Sequence, residues 1–472
     1  MKSLYNPSSP TQILQHARRL EGASVGEALE KLFAEWIGEE PLGYIDPAIE
    51  ASYKGKGGFG QFVEEQYFKK DNDSYSRPDF EKAGIELKTA PLRKTKKNEV
   101  RAKERVVLGL IDFFKVVDET FDESHFLSKN ETILLVFYFH DALKSFYDLE
   151  IPIVDIWDCL QEDGQQIRED WEHIVQKVRN GLAHEISEGD TFYLGACTKG
   201  ATRDTSQVRQ PFSDMEAHRR AFCFKIGYVN HIYKVLMERQ KRRKKTEYIR
   251  LLDDKPLTLE QQIRARFEPF LGMRVDDICK NLGIPYNLGD KGLYARVART
   301  ILGIQKKNQK IYEFDAASVQ VKTIRIEPNG IAKEEMSFKA INFNEIVDQE
   351  WEDSDLYQIL TSKFFFVLYR HDAKEDPYTL SQIKVWNMPE SDLDIAKEGW
   401  EDTKQKIIDG VYDNFIRIKD ERVIHVRTHG RDSNDLMETP QGILQTKRSF
   451  WLNKKYLARQ IIERKDTTRR DI

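Results

Sequence analysis

The chain has 472 residues, of which 40% are apolar, 11% aromatic and 32% charged, and it carries a net charge of −4 at neutral pH. That is ample material for a packed core in two or three domains. The longest apolar run, Ile133 to Phe139, falls far short of the roughly 20 residues that cross a bilayer, no signal-peptide pattern follows Met1, and Cys159, Cys197, Cys223 and Cys279 form no C-x-x-C pair. Membrane proteins, secreted disulfide frameworks and zinc ribbons are therefore excluded, and a cytoplasmic protein is expected.

Apolar periodicity predicts an N-terminal helix over Thr11 to Phe33. A glycine turn, Gly55-Lys-Gly57-Gly-Phe-Gly60, then opens a second helix that carries Glu64. Strand signals follow at Gly84 to Ala90 and Thr132 to Phe139, then a helix around Trp171, further strands and a closing helix. The span Glu238 to Leu257 contains the basic run Arg239 to Lys245 and reads as a solvated linker. Beyond it the order returns: a helix over Leu259 to Leu282, a glycine turn, strands at Val319 to Ile326 and Phe364 to Tyr369, a helix around Trp400, and a closing helix. Helices alternating with a mixed sheet give an α/β class.

The return is residue by residue, at a spacing of about 230. Gly84-Ile-Glu86-Leu-Lys88-Thr89 is answered by Ser318-Val-Gln320-Val-Lys322-Thr323, Lys56-Gly57 by Lys291-Gly292, Trp171-Glu172 by Trp400-Glu401, Gly181 by Gly410, and Arg220-Ala-Phe222 by Arg448-Ser-Phe450. The matches keep their order, so the chain reads as a duplication: residues 1–238, a linker over 239–256, and 257–472.

Three constellations compete for the chemistry. The first is the G-x-G-x-x-G of Gly55 to Gly60 with Asp79 beyond it, but Ile49 to Lys54 is too short and polar to be the strand a dinucleotide site needs, so a turn with close packing at Gly60 is expected instead. The second is histidine chemistry; His184, His125, His140 and His173 fall in no hydrolase or metal motif and read as surface or satisfied core residues. The third is Asp79 followed by Glu86-Leu87-Lys88. If Ile85 to Lys88 is extended, Glu86 and Lys88 share one face while Ile85 and Leu87 enter the core. Gly84 permits the turn that returns Asp79 to Glu86. Two carboxylates and the Leu87 carbonyl can hold a hard cation such as Mg²⁺, and Lys88 stands where it can orient an attacking water. Alone this pattern is weak. It gains from the stretch Lys88 to Arg105, where Lys88, Arg93, Lys94, Lys96, Lys97, Arg101, Lys103 and Arg105 face only Glu99 and Glu104, the charge a scissile phosphate requires.

At these residues the sequence resembles the MutH-type branch of the PD-(D/E)xK nucleases. Lys56 to Glu64, Ser76-Arg-Pro78-Asp79, Gly84 to Thr89, Ser124 to Lys129, Cys197-Thr-Lys199 and Phe222 to Lys225 carry the resemblance. Two such halves resemble the large GATC-specific type II restriction endonucleases. The resemblance implies Mg²⁺-dependent cleavage of double-stranded DNA at 5′-GATC-3′, before the G. It makes Asp79 and Glu86 metal ligands with Leu87, Lys88 the catalytic lysine, Glu64 an auxiliary acid and Lys129 a further active-site lysine. In the second half Glu86 becomes Gln320, Glu64 falls opposite Arg299, Asp79 corresponds approximately to Glu313, and Lys322 alone stays. That half is expected to bind DNA without cutting it. Ile424-His-Val-Arg427-Thr-His429 resembles the base-reading loop, with Arg427 as a guanine reader or phosphate contact, His429 beside it, and Lys447, Arg448, Lys454 and Lys455 following. The counterpart in the first half is Thr198-Lys199, with Arg203 and Arg209 nearby, and Lys94, Lys96 and Lys97 are expected phosphate contacts. A mismatch-repair nickase of the same family and a non-catalytic sequence-specific DNA-binding protein are the alternatives. Dimerisation on DNA is left open.

Overall fold

The computed structural model describes all residues except 1–3, 38–49, 54, 56, 71–76, 96–97, 201–205, 242–246, 253–256, 288, 291, 307, 334, 372, 374–375, 421, 433 and 462–472. The chain divides into two compact units, residues 1–186 with 191–245, and residues 187–190 with 246–472. Among the described residues no helix is long and apolar enough to cross a membrane.

In the first unit, Ser9 caps helix α1 (Pro10–Ala17), with Pro10 supplying the preset φ of a first helical residue. The single helix predicted over Thr11 to Phe33 is instead two. Gly22 adopts φ +75 and donates to the Ile151 carbonyl, and helix α2 (Val25–Ile37) restarts after a reciprocal cap, Ser24 N–H to Glu27 and Glu27 N–H to Ser24 Oγ. Helix α3 (Gly58–Phe62) continues into a π-helical turn over Val63–Tyr67. The central sheet is mixed: strands β1 (Ile85–Lys94) and β4 (Thr132–Phe139) run parallel, β2 (Val100–Ala102) closes one side of β1, and β5 (Ile153–Asp158) lies antiparallel to β4. A second, antiparallel sheet has the order β3 (Val106–Leu110), β9 (Arg220–Phe224), β6 (Leu194–Thr198), and β7 (Gln207–Gln210) pairs with β8 (Ser213–His218) as a ribbon. Helix α4 (His125–Asn130) leads into β4, α5 (Cys159–Arg179) follows β5, and α6 (Ile226–Lys241) closes the unit. The core gathers Ile85, Leu87, Leu134 and Val136 from the sheet with Ile13, Leu20, Phe62 and Tyr67 from the N-terminal helices.

The second unit begins with β10 (Tyr248–Ile249) and α7 (Leu259–Phe267), the latter opened by a Thr258–Gln261 capping box. Here too one predicted helix is two: Gly272, at φ +82, breaks the chain before α8 (Val275–Leu282). Helix α9 (Leu293–Ile301), strand β11 (Lys310–Ile311) and helix α10 (Tyr312–Ala316) precede β12 (Gln320–Ile326), which runs parallel to β14 (Phe364–Arg370); β15 (Thr379–Trp386) is antiparallel to β14. Helix α11 (Asp355–Leu360) leads into β14 and α12 (Glu390–Ile408) follows β15. The antiparallel sheet has the order β13 (Met336–Ala340), β19 (Arg448–Leu452), β16 (Ile424–Thr428), the ribbon pairs β17 (Leu436–Glu438) with β18 (Leu444–Thr446), and α13 (Lys454–Ile461) comes last.

Candidate active site

The chain between Pro78 and Lys88 folds back as its residue types require. Glu81–Ala83 forms one 3-10 turn, Gly84 takes φ +66, and Phe80 exchanges two main-chain hydrogen bonds with Ile85 (2.8 and 3.3 Å). This places Asp79 alongside the start of β1. The Asp79 N–H donates to Glu86 Oε2 (3.2 Å), and the Leu87 N–H donates to Asp79 Oδ2 (2.8 Å). In an extended strand the N–H and C=O of one residue point the same way, so the Leu87 carbonyl lies on the Asp79 side, away from β4. Glu86 is 1% exposed although the strand's alternation alone gives it a solvent-facing position.

What replaces water around Glu86 is positive charge. Lys88 hydrogen-bonds Glu86 Oε1, and Lys129 Nζ stands 3.5 Å from the same oxygen. Lys129 is placed by helix α4, whose N-terminus is fixed by Ser124 Oγ accepting from the Leu127 N–H. Burial raises the Glu86 carboxyl above the usual range, with Asp79 adding to the effect and Lys88 and Lys129 opposing it.

Glu64, expected on a regular helix four residues after Gly60, sits instead on the π-helical turn. The Phe68 N–H closes a bond to the Val63 carbonyl, and the Lys70 N–H bonds the Glu64 carbonyl (3.0 Å). The extra residue in such a turn re-aims a side chain, a device common at functional sites. Burial, then the charges of Asp79 and Glu86, push the Glu64 carboxyl up to about 7, while Lys88 and Lys70 pull it down. Lys70 also donates to the Asp79 main-chain carbonyl.

The glycine cluster upstream is packing. A Cβ on Gly58 would lie 1.8 Å from the Tyr53 carbonyl oxygen, and one on Gly60 3.2 Å from Thr89 Oγ1, so Gly58 rather than Gly60 has the least room. Residues 50–53 form helix and turn, which removes the strand a dinucleotide site needs. His184 meets Gln210 across 3.0 Å and ties its loop to β7.

Two carboxylates and a main-chain carbonyl are all hard oxygen donors, and together they fit a divalent cation. Among the described residues no group of three His, Cys, Asp or Glu side chains is placed to hold an ion.

In the second unit the corresponding places are filled differently. Ser318 keeps the left-handed turn of Gly84 at φ +52, but Gln320 spends its amide on the Ser318 carbonyl (3.0 Å). Glu313, the approximate match of Asp79, lies in α10 and accepts the main-chain N–H groups of Leu251 and Leu252 at 2.9 to 3.0 Å. It is a buried cap on the Leu251–Leu252 main chain. Arg299 is exposed on α9. Glu86 lies opposite Ile133 and Gln320 opposite Phe364, and in the helices that lead into those partner strands the fifth residue after the serine cap is Lys129 in one unit and Ile359 in the other. The second unit has no lysine at that place. Lys322 is half-buried, and burial alone lowers its pKa.

The expected DNA contacts divide. Lys94 is exposed, its ammonium 4.4 Å from the Phe139 ring centre; Lys199 is half-buried at the end of β6, and Arg209 is exposed on β7. Lys96, Lys97 and Arg203 lie outside the described residues. Lys454 is half-buried at the start of α13. His429 donates its N–H to the Lys447 carbonyl as Lys199 does to that of Arg219, both at 2.8 Å, so His429 and Lys199 share a place. Arg427 falls one residue short, at the place of Cys197. Its guanidinium is not free to read a base: it pairs with Glu335 and lies 5.1 Å from the Trp451 ring centre.

Comparison with known proteins agrees with this geometry. The model of the family described as DNA mismatch repair enzyme MutH matches twice, over residues 68–170 and 302–398. The type II restriction enzyme Sau3AI of Staphylococcus aureus is 33% identical over 452 residues, covering 84% of this chain and 91% of that relative. The chain belongs to the MutH-like type II restriction endonucleases. The DNA mismatch repair proteins MutH of Shewanella woodyi and Shewanella amazonensis are 25% and 24% identical, covering 49% and 48% of this chain but 94% of their own. Nucleases of this MutH-like kind bind double-stranded DNA and use divalent metal ions; Asp79, Glu86, Lys88 and Lys129 lie within the first matched segment and Glu64 just before it.

Proposed function

We propose that this MutH-like endonuclease cuts double-stranded DNA at 5′-GATC-3′, before the G, with its first unit, and that its second unit is a diverged copy that binds DNA without cutting. The observation that carries the reading is the Glu86 carboxylate, held against Asp79, Lys88 and Lys129 in one unit and replaced by the Gln320 amide, with Ile359 at the place of Lys129, in the other. Asp79, Glu86 and the Leu87 carbonyl would hold Mg²⁺, which when bound supplies positive charge to the scissile phosphate and acidifies water.

The chain's own residues do the rest. Lys88 and Lys129 are already within reach of Glu86 Oε1; turned toward the phosphate, they orient the attacking water and offset the charge that develops on the phosphoryl oxygens. Glu64, with its raised pKa, is able to take a proton near neutral pH. The exposed Lys94, the lysines that follow it, and Lys199 with Arg209 supply cations for backbone phosphates and base edges. A length of two units favours the restriction enzyme over a mismatch-repair nickase, since the two MutH proteins cover about half of this chain.

The test is a digest of plasmid DNA with the full chain, with and without Mg²⁺, followed by end mapping on methylated and unmethylated substrate. Mg²⁺-dependent ends that start at GATC are expected. Nicks in one strand only would favour the repair nickase, and intact plasmid a DNA-binding protein. Gel filtration of the non-cutting Glu86→Gln chain on a GATC duplex reads whether two copies meet on DNA.

A further inference from the structure

We propose that the second unit carries a phosphate-binding groove for duplex DNA, lined by Arg417, Lys419 and Arg427, in which Glu335 holds Arg427 until a DNA phosphate takes its place. The inference rests on the reading that this unit binds DNA, and it names where and how.

An open cavity of about 470 Å³ runs along β16, bordered by Glu335, Arg417, Ile418, Lys419, Val426 and Arg427. Strand β16 is the edge strand of its sheet, and the segment around Ile416 lies along its outer side. The wall opposite is fixed, because the Val426 N–H bonds the Ile416 carbonyl (2.9 Å) and Asp420 caps the Arg417 N–H (2.8 Å). Asp420 is thereby turned onto its own backbone. Three cations then share the groove with a single carboxylate, Glu335, and that carboxylate engages Arg427. Arg417 donates to the Asp413 main-chain carbonyl, at 3.5 Å. A groove open along its length, with an excess of donors spread over it, suits a polyanion passing through better than a small closed anion.

The pair itself shows a partner waiting to be exchanged. Glu335 is 13% exposed and Arg427 49%, so the acid is seated in the protein while the guanidinium stands at the rim, on the face of Trp451. A DNA phosphate can offer the same acceptor oxygens from the solvent side. Leaving Glu335 largely buried without its cation is costly, so the exchange proceeds only when the groove is filled, and weak encounters are discouraged. Both members of the pair are particular to this unit. By strand register the place of Glu335, just before β13, is held in the first unit by Arg105, just before β3, and the place of Arg427 is held by Cys197.

The test uses the full chain with Glu86→Gln to prevent cutting, and fluorescence anisotropy with a labelled GATC duplex over a range of salt. Replacing Arg417 and Lys419 together by Gln should lower the log–log salt slope by about 1.8, at roughly 0.9 per phosphate contact, or about 60-fold in affinity for a tenfold fall in salt. Glu335→Gln should tighten binding, and the gain should vanish when Arg427→Gln is added. Melting temperatures check that each variant is folded. An unchanged slope in the Arg417/Lys419 variant overturns the groove; loosening by Glu335→Gln overturns the exchange, leaving Glu335 as a support for Arg427. His429→Ala and Lys454→Ala separate the two levels. If they weaken binding while the groove variants do not, the unit binds DNA elsewhere; if nothing does, the DNA-binding reading of this unit fails as well. Inorganic phosphate at fixed ionic strength is the last arm: raised melting of the parent without any groove contribution to DNA binding would make this a free-anion site and overturn the proposal.

Discussion

Glu86→Gln isolates the charge at the centre of the first unit. The substitution keeps the volume of a side chain that is 1% exposed, and the new amide can still accept the Asp79 N–H through its oxygen. What goes is the anion that draws in Lys88 and Lys129. Those ammoniums have side-chain exposures of 23% and 19% and keep contact with water, and burial already disfavours the Glu86 charge, so the metal-free protein should lose about 1 kcal/mol, the size of a solvent-exposed pair. Cation binding should suffer far more, because one of two carboxylates is lost. If Mg²⁺ is present at about 100 times its dissociation constant, it stabilises the parent by about 2.7 kcal/mol. For a unit of this size that is a rise of roughly 5 to 11 °C in melting temperature. The variant should show almost none of it, should cut at least about 10³-fold more slowly, a barrier some 4 kcal/mol higher, and should still bind a GATC duplex. The assays are thermal melting with and without Mg²⁺, single-turnover plasmid cleavage, and anisotropy. A Glu86→Gln enzyme that cuts within tenfold of the parent, or keeps the full Mg²⁺-induced rise, would refute the assignment.

Three further outcomes are expected. Glu64, pushed up to about 7 in the folded, metal-free protein, binds its proton more tightly there than in the unfolded chain, so its contribution is fully present below about 4.5 and is lost as pH rises through 7; Glu64→Gln should flatten that decline in denaturant unfolding at pH 5 to 8, and an unchanged profile would place the shift elsewhere. Ser318 holds a left-handed φ of +52 that favours glycine, so Ser318→Gly should stabilise the second unit by about 1 kcal/mol, read as a higher denaturation midpoint; a destabilised variant would mean the Ser318 side chain has a use of its own. Replacing Lys94, Lys96 and Lys97 together should lower the salt slope of DNA binding by about 2.7 for all sequences alike, and no change would leave them a solvated stretch.

The mixed α/β class and the gathering of Asp79, Glu86 and Lys88 are legible in the sequence. Local rules suffice there: strand alternation puts Glu86 and Lys88 on one face, Gly84 admits the turn that returns Asp79, and the change of Glu86 to Gln320 is legible in the letters alone. The helix breaks at Gly22 and Gly272 were missed because apolar periodicity runs on through them, while the decision to turn is made by bonds to the distant carbonyls of Ile151 and Leu380. Tertiary structure alone decided the rest. Spacing cannot show that Lys129 meets Glu86, since that contact follows from which strand pairs with which, and in what register. Nor can it show that Glu313 is turned onto the backbone of Leu251 and Leu252, or that Arg427 is held by Glu335. The partner of a charged side chain is set by whatever the fold brings within a few ångströms, often from tens of residues away, and the burial of the pair then fixes how much that partnership is worth.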